Sequence, residues 1–228
     1  MGLLYLYAIA DRPDLPLPGD PGLEEAPLRR LVYRDITAIV SPLADGPPAP
    51  TAANVWRHEH VIESLMAGRA VLPARFGMLL KAPRIALDDL VERYDAYAGN
   101  LDRVRGRVEL GLRVLWEPEA GAPAPPGQPS DGRGYLMARL AEERRAQAAR
   151  RAAEAQVAEL SGDLAALASD RVEEVLATPK LLLKAAYLVE RDRIAAFQRA
   201  VGQQQASRPG MRFLCTGPWP AYHFVTVG

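Results

Sequence analysis

The chain has 228 residues, 28 basic and 28 acidic, so its formal net charge is zero, with 49% hydrophobic and 25% charged residues. That is the composition of a folded globular protein long enough to bury a large core, which excludes a disordered chain. Balanced charge argues against nucleic acid or an anionic membrane as the main partner, because both demand a surplus of cations.

The opening Leu3–Ala10, "LLYLYAIA", is apolar on both faces and predicts a central strand. It lacks the basic flank of a signal peptide, and no apolar run approaches the ~18 residues that span a bilayer; a cytoplasmic protein is expected. "LVYRDITAIVS", Leu31–Ser41, reads as two short strands around Arg34 and Asp35. Thr51–Met66 carries Val55, Ile62, Leu65 and Met66 on one helical face, with Thr51 placed to cap it. "VLPARFGMLL", Val71–Leu80, is strand-like but punctuated by Pro73 and Gly77, and Leu87–Leu101 predicts a second helix. The alternation over Arg103–Trp116 predicts a half-exposed strand.

Five prolines and four glycines crowd Glu117–Gly134, which marks a linker. The expected domains are 1–116, an α+β unit of helices on one sheet, and 135–228, separated by the linker 117–134. Tyr135–Ser169 predicts the longest helix, whose late seam of Val157, Leu160, Leu164 and Leu167 steps like a coiled-coil contact line. At about 1.5 Å per residue it would reach roughly 50 Å, so part of it is expected to project as an arm. "DRVEEVLAT", "LLLKAAYLVER", a helix from Asp192 and "GMRFLCTG" then complete a second small, mainly antiparallel sheet backed by helix. The single cysteine, Cys215, excludes an intramolecular disulfide and reads as a small hydrophobe in a strand.

The most enzyme-like stretch is "WRHEHVIES". Two histidines that share a metal on a helix stand four apart, whereas His58 and His60 stand two apart and face different ways. His60 and Glu63 could face one ion but lack further ligands. A metal-dependent enzyme using His58, His60 and Glu63 is therefore a weaker reading than a hydrogen-bonded core His58 and a solvated His60, and no cofactor is expected. Arg75, between apolar neighbours, is expected to be buried and paired with Glu59, since an unpaired buried cation is costly.

Several stretches taken together resemble the GvpL/GvpF family of gas vesicle proteins: "YLYAIA" at the start, "WRHEHVIESLMAGRAVLPARFG" in the middle, "LLLKAAYLVER" and the closing "GPWPAYHF". The positions that carry the resemblance are Trp56, His58, Glu59, Pro73, Arg75, Phe76, Gly77, Gly217, Pro218, Trp219, Pro220, Tyr222 and Phe224. His223 departs from the small polar residue expected in that motif. The resemblance implies two α+β domains, the C-terminal one ferredoxin-like, plus a long helical or coiled-coil arm. It implies no catalysis but a role in building gas vesicles, as an assembly or structural accessory protein. Its implied partners are the small hydrophobic shell protein, whose nucleation it helps or whose aggregation it prevents, and other gas vesicle accessory proteins; neither nucleic acid nor membrane is among them. A coiled-coil adaptor working through Tyr135–Ser169 is the other alternative. The aromatic tail is expected to be an extended clasp with Trp219, Tyr222 and Phe224 alternately buried, because Pro218 and Pro220 enforce an extended path and aromatics bury much surface.

Overall fold

The computed structural model describes residues 3–44, 46–116, 132–176 and 181–225. The expected linker 117–134 lies mostly outside them, as do the last three residues. The chain is a mixed α+β protein built from two compact units, one of residues 1–109 with 217–228 and the other of residues 110–216.

In the first unit, β1 (Leu3–Asp11) runs through the middle of a five-stranded sheet. It lies between β3 (Ile36–Leu43) on one side and the short β4 (Val71–Pro73) and β5 (Leu79–Leu80) on the other, all antiparallel to it. A strand so placed has neighbours on both edges, which suits the two-faced apolar run read from the sequence; Leu4 to Ala10 are all buried. The outer strand β2 (Arg29–Tyr33) pairs antiparallel with β3, and Arg34 and Asp35 form the turn between them. Helix α1 (Ala52–Leu65) is capped as expected, with the Asn54 amide donating to Thr51 Oγ1 at 3.3 Å. It buries His58, Val61, Ile62 and Leu65.

The single helix expected over Leu87–Leu101 is instead two, α2 (Pro83–Glu92) and α3 (Tyr94–Val104). The first starts on Pro83, whose missing N–H costs nothing at that position. The break falls at Arg93, where the chain turns so that the Tyr94 hydroxyl donates to Asp35 at 2.6 Å and that of Tyr97 to Asp89 at 2.6 Å. Side-chain anchoring, with no glycine or proline, separates the helices.

The other sheet has the order β7-β8-β6-β9, formed by β6 (Arg107–Trp116), β7 (Asp170–Val175), β8 (Leu181–Glu190) and β9 (Met211–Trp219). With α4 (Gly132–Ala165) and α5 (Ile194–Ser207), the chain order is β-α-β-β-α-β, the element order of ferredoxin-like folds. The strand β6, expected to close the first domain, is thus an inner strand of this sheet. Alternation reports which face of a strand is buried and is silent on which sheet it joins. Leu110, Leu112 and Val114 of β6 share a core with Val157, Leu160 and Leu164 of α4, Leu183 and Tyr187 of β8, and Phe197 and Val201 of α5. A hydrogen bond of 3.0 Å from Gln204 to Asp163 joins the two helices. Cys215 is half-buried against this core, and burial pushes its thiol pKa up, which suits a small hydrophobe rather than a nucleophile.

Candidate functional site

The central motif converges on one buried histidine. His58 of α1 is fully buried, and its Nε2 lies 3.1 Å from the carbonyl oxygen of Ala74. A carbonyl only accepts, so Nε2 carries the proton and Nδ1 is left as the acceptor. The Tyr5 hydroxyl donates to Nδ1 at 3.0 Å and itself accepts the Gly77 amide at 3.0 Å. Burial lowers the pKa of His58 to about 4, against the pull of the Ala74 carbonyl, so the ring is neutral at pH 7. Burial also raises that of Tyr5, keeping its proton in place. The segment Ala74–Gly77 is thereby held at one end by α1 and at the other by β1. Gly77 sits at φ +87°, a conformation that favours glycine. Phe76 packs edge-on against both Tyr5 and His58.

Tyr7, on the same face of β1, stacks on His58 with 5.8 Å between ring centroids. Its hydroxyl accepts the Leu23 amide at 2.7 Å and bonds Ser41 Oγ at 2.9 Å. Gly22 passes so close to this hydroxyl that a Cβ there would lie 2.3 Å from it.

The closing motif anchors in the first unit, to which residues 217–225 belong. The Tyr222 hydroxyl donates to Glu59 Oε1 at 2.9 Å. Burial raises the pKa of both groups, and the hydrogen bond opposes that rise in Glu59. Glu109, itself buried, accepts the His223 amide at 2.9 Å and the His223 ring at 2.6 Å, and Arg103 donates to the Phe224 carbonyl at 3.2 Å. The tail packs on its own chain as a clasp does, but not by the extended path that was expected. Tyr222 bonds back to Pro220 and Phe224 to Ala221, so the chain turns, burying Pro220, Ala221 and Phe224 and leaving Trp219 exposed. Gly217 and Pro218, just before the last residue of β9, are joined by a cis peptide bond.

The pairing expected of Arg75 with Glu59 does not form. Arg75 is exposed and forms no ion pair with a described residue; its supposed partner Glu59 takes Tyr222 instead. Alternation around Pro73 and Gly77 breaks before Arg75, because only β4 is regular there, and Ala74 takes the inward place. Trp56 is 62% exposed and stacks on His60, whose Nε2 lies 3.0 Å from Asp20. His58 and His60 are thus engaged in different directions, and among the described residues no group of three or more His, Cys, Asp or Glu side chains could hold a metal.

Sequence reading missed Tyr5, Tyr7, Gly22, Glu109 and His223. The pair "YLY" in an otherwise aliphatic strand was the available signal, since a buried tyrosine hydroxyl demands a partner. Nothing local marks Glu109, half a chain away from its partner.

Comparison with known proteins places these features. The family model described as "Gas vesicle synthesis protein GvpL/GvpF" matches residues 3–226. Gas vesicle protein L of Streptomyces sp. is 30% identical over 250 aligned positions, covering 99% of this chain and 93% of that protein. Gas vesicle protein F2 of Halobacterium salinarum is 29% identical over 230, covering 98% and 92%. The crystal structure of the gas vesicle protein GvpF from Anabaena sp. PCC7120 superposes with a TM-score of 0.77 over 100% of this chain and 98% of that one, at 20% identity, which is a likeness of fold.

Proposed function

The chain belongs to the GvpL/GvpF family of gas vesicle synthesis proteins, and from that premise we propose that it is a non-catalytic accessory or minor structural protein of the vesicle. It binds the small hydrophobic shell protein in the cytoplasm and at the growing vesicle, aiding nucleation and suppressing premature aggregation. A shell subunit must turn an apolar face toward gas, so before assembly it needs a soluble holder.

The motif residues divide by role in this reading. His58, Glu59, Pro73, Phe76, Gly77, Gly217, Pro218, Pro220, Tyr222 and Phe224 build and lock the first unit, while Trp56, Arg75 and Trp219 remain at its surface. The observation that carries the proposed contact is the outer strand β2. No described strand pairs with its free side, and Val32 is 48% exposed on it. Tyr33 and Ile36 close a two-residue hairpin as a hydrogen-bonded pair, so alternation turns the amides of Val32 and Arg30 outward. An extended segment of the shell protein can add there as a further strand, main chain to main chain.

Co-expression with the shell protein and pull-down of the complex tests both levels. Capture is expected from the wild-type chain and from Val32→Thr, and loss of capture from Val32→Pro, which removes one outward donor while sparing the inner ladder. No capture by the wild-type chain sinks the function; full capture by a folded Val32→Pro sinks the β2 edge.

A further inference from the structure

Helix α4 outgrows its own core. Its buried side chains, from Ala153 to Leu164, lie in its final turns. From Arg133 to Ala152 no described side chain is buried. Most helical stability in proteins comes from packing an amphipathic face. Yet this stretch exposes Leu136 by 61%, Met137 by 62% and Leu140 by 48%.

The charges around those residues are sorted. At about 100° per residue, Arg133, Leu136, Met137, Leu140, Arg144 and Arg151 fall within one face about 100° wide. That face lies roughly 140° around the helix from the buried seam. Off this face, Arg139 pairs with Glu143 at 3.8 Å and Arg150 with Glu154 at 3.0 Å. On it there is no carboxylate between residues 133 and 152, and none of its three arginines pairs with a described acid. The outward face is apolar from Leu136 to Leu140 and beyond that carries Arg144, Gln147 and Arg151, so its charge is cationic throughout. An interfacial membrane helix would carry its apolar residues along the whole length; here they end at Leu140, as an anchor for a protein pocket does.

The complementary surface occurs on the same chain. A cleft of about 370 Å³ is lined by Leu23, Ala53 and Trp56, with Glu24, Glu25 and Arg57 as its charged groups. Its wall is preformed. Glu24 and Glu25 hold φ values of 55° and 53°, a strained conformation for residues other than glycine. The Ala44 amide bonds Glu24 at 3.2 Å and Arg57 bonds Glu25 at 3.3 Å. The cleft combines buried Leu23 and exposed Ala53 with a net acidic charge and an exposed tryptophan, a residue type enriched at binding hot spots.

We propose that the chain self-associates head to tail, the outward face of α4 in one copy seating Leu136 and Leu140 in the Trp56 cleft of another. Two different patches meet, so the contact is heterologous and propagates beyond a dimer unless it closes into a ring. It involves neither β2 nor the shell protein, and stands or falls separately from the contact proposed above.

Sedimentation velocity on the purified full chain, from low to high micromolar concentration, tests it. The wild-type weight-average mass is expected to rise with concentration. The double variants Leu136→Glu/Leu140→Glu and Trp56→Ala/Glu25→Lys are each expected to weaken self-association at least tenfold; both change exposed side chains, and circular dichroism checks that they fold. Mixed together, the two variants retain one intact face each and are expected to form a 1:1 dimer that grows no further. A wild-type chain monomeric throughout, either variant associating like wild type, or a mixture that stays monomeric would each overturn the proposal.

Discussion

The Tyr5 hydroxyl sits 3.0 Å from Nδ1 of His58 and donates to it, so β1 and α1 are joined by a bond whose direction requires a neutral imidazole. Because burial takes the His58 pKa down from 6.5 to about 4, the folded state binds fewer protons than the unfolded chain between those values. The stabilisation is fully present above pH 6.5 and is lost as the pH falls toward 4, amounting to about 3 kcal/mol. Denaturant midpoints measured from pH 7 to 4 are expected to fall more steeply in the wild-type chain than in His58→Phe. That variant keeps a ring but strands the Ala74 carbonyl, and is expected to cost roughly 2–4 kcal/mol at pH 7. Parallel pH profiles for the two proteins would refute the assignment, and exchange of the Gly77 amide gives a local reading of the same opening.

Tyr7 imposes a different constraint. Its hydroxyl is fixed by Ser41 and by the Leu23 amide, so it cannot retreat from a side chain placed at Gly22, 2.3 Å away. Gly22→Ala is expected to destabilise the first unit by about 1–3 kcal/mol, the usual range for overpacking. Gly19→Ala, whose Cβ would meet nothing within 4 Å, is expected to stay within about 1 kcal/mol of wild type. Thermal unfolding of the two variants side by side decides it; equal melting temperatures would remove the steric argument.

Much of this arrangement was legible because it is written in short-range pattern. The two-faced run Leu3–Ala10 could only be an inner strand, Thr51 announced a helix start, and Arg34-Asp35 between two β runs marked a hairpin. What stayed hidden depends on partners far along the chain. Glu109 gives no local sign that it will hold His223, and β6 alternates identically whichever sheet it enters. The exposure of Arg75 was misread for a related reason: flanking apolar residues suggest burial, but Pro73 and Gly77 interrupt the strand that would have turned Arg75 inward. Membership of the family was legible from motifs, whereas the division of those motifs into buried residues and an exposed Trp56 depends on how the chain folds.

Arg75 accordingly gives an expectation opposite to that of a buried ion pair. With its guanidinium in solvent and no described acid beside it, Arg75→Ala removes little, and a shift within about 0.5 kcal/mol is expected. Urea denaturation is sufficient to check it. A loss of several kcal/mol would mean that the side chain folds inward after all. If the surface around Arg75 serves binding, the variant would lose partner capture without losing stability.

Glu59 and Tyr222 provide the sharpest test of the tail. Their side chains lie 163 positions apart in sequence and meet at 2.9 Å, with Tyr222 packed against the same core as Tyr5 and Val61. Tyr222→Phe keeps that packing and deletes only the donor, leaving Glu59 partly buried without its hydroxyl partner. The cost expected is about 1–3 kcal/mol at neutral pH, the penalty for an unsatisfied buried acceptor. Its sign with pH follows from Glu59. The Tyr222 bond favours the carboxylate, so removing it pushes the already raised Glu59 pKa further up. The deficit of Tyr222→Phe is therefore expected to shrink as the pH falls and Glu59 takes up its proton, and to be largest at neutral pH and above. Glu59→Gln in the same series should show a deficit that does not vary in this way. If Tyr222→Phe instead loses the same amount at every pH, the hydroxyl is not bonded to an ionised Glu59, and the tail is held by packing and by its bonds to Glu109 and Arg103.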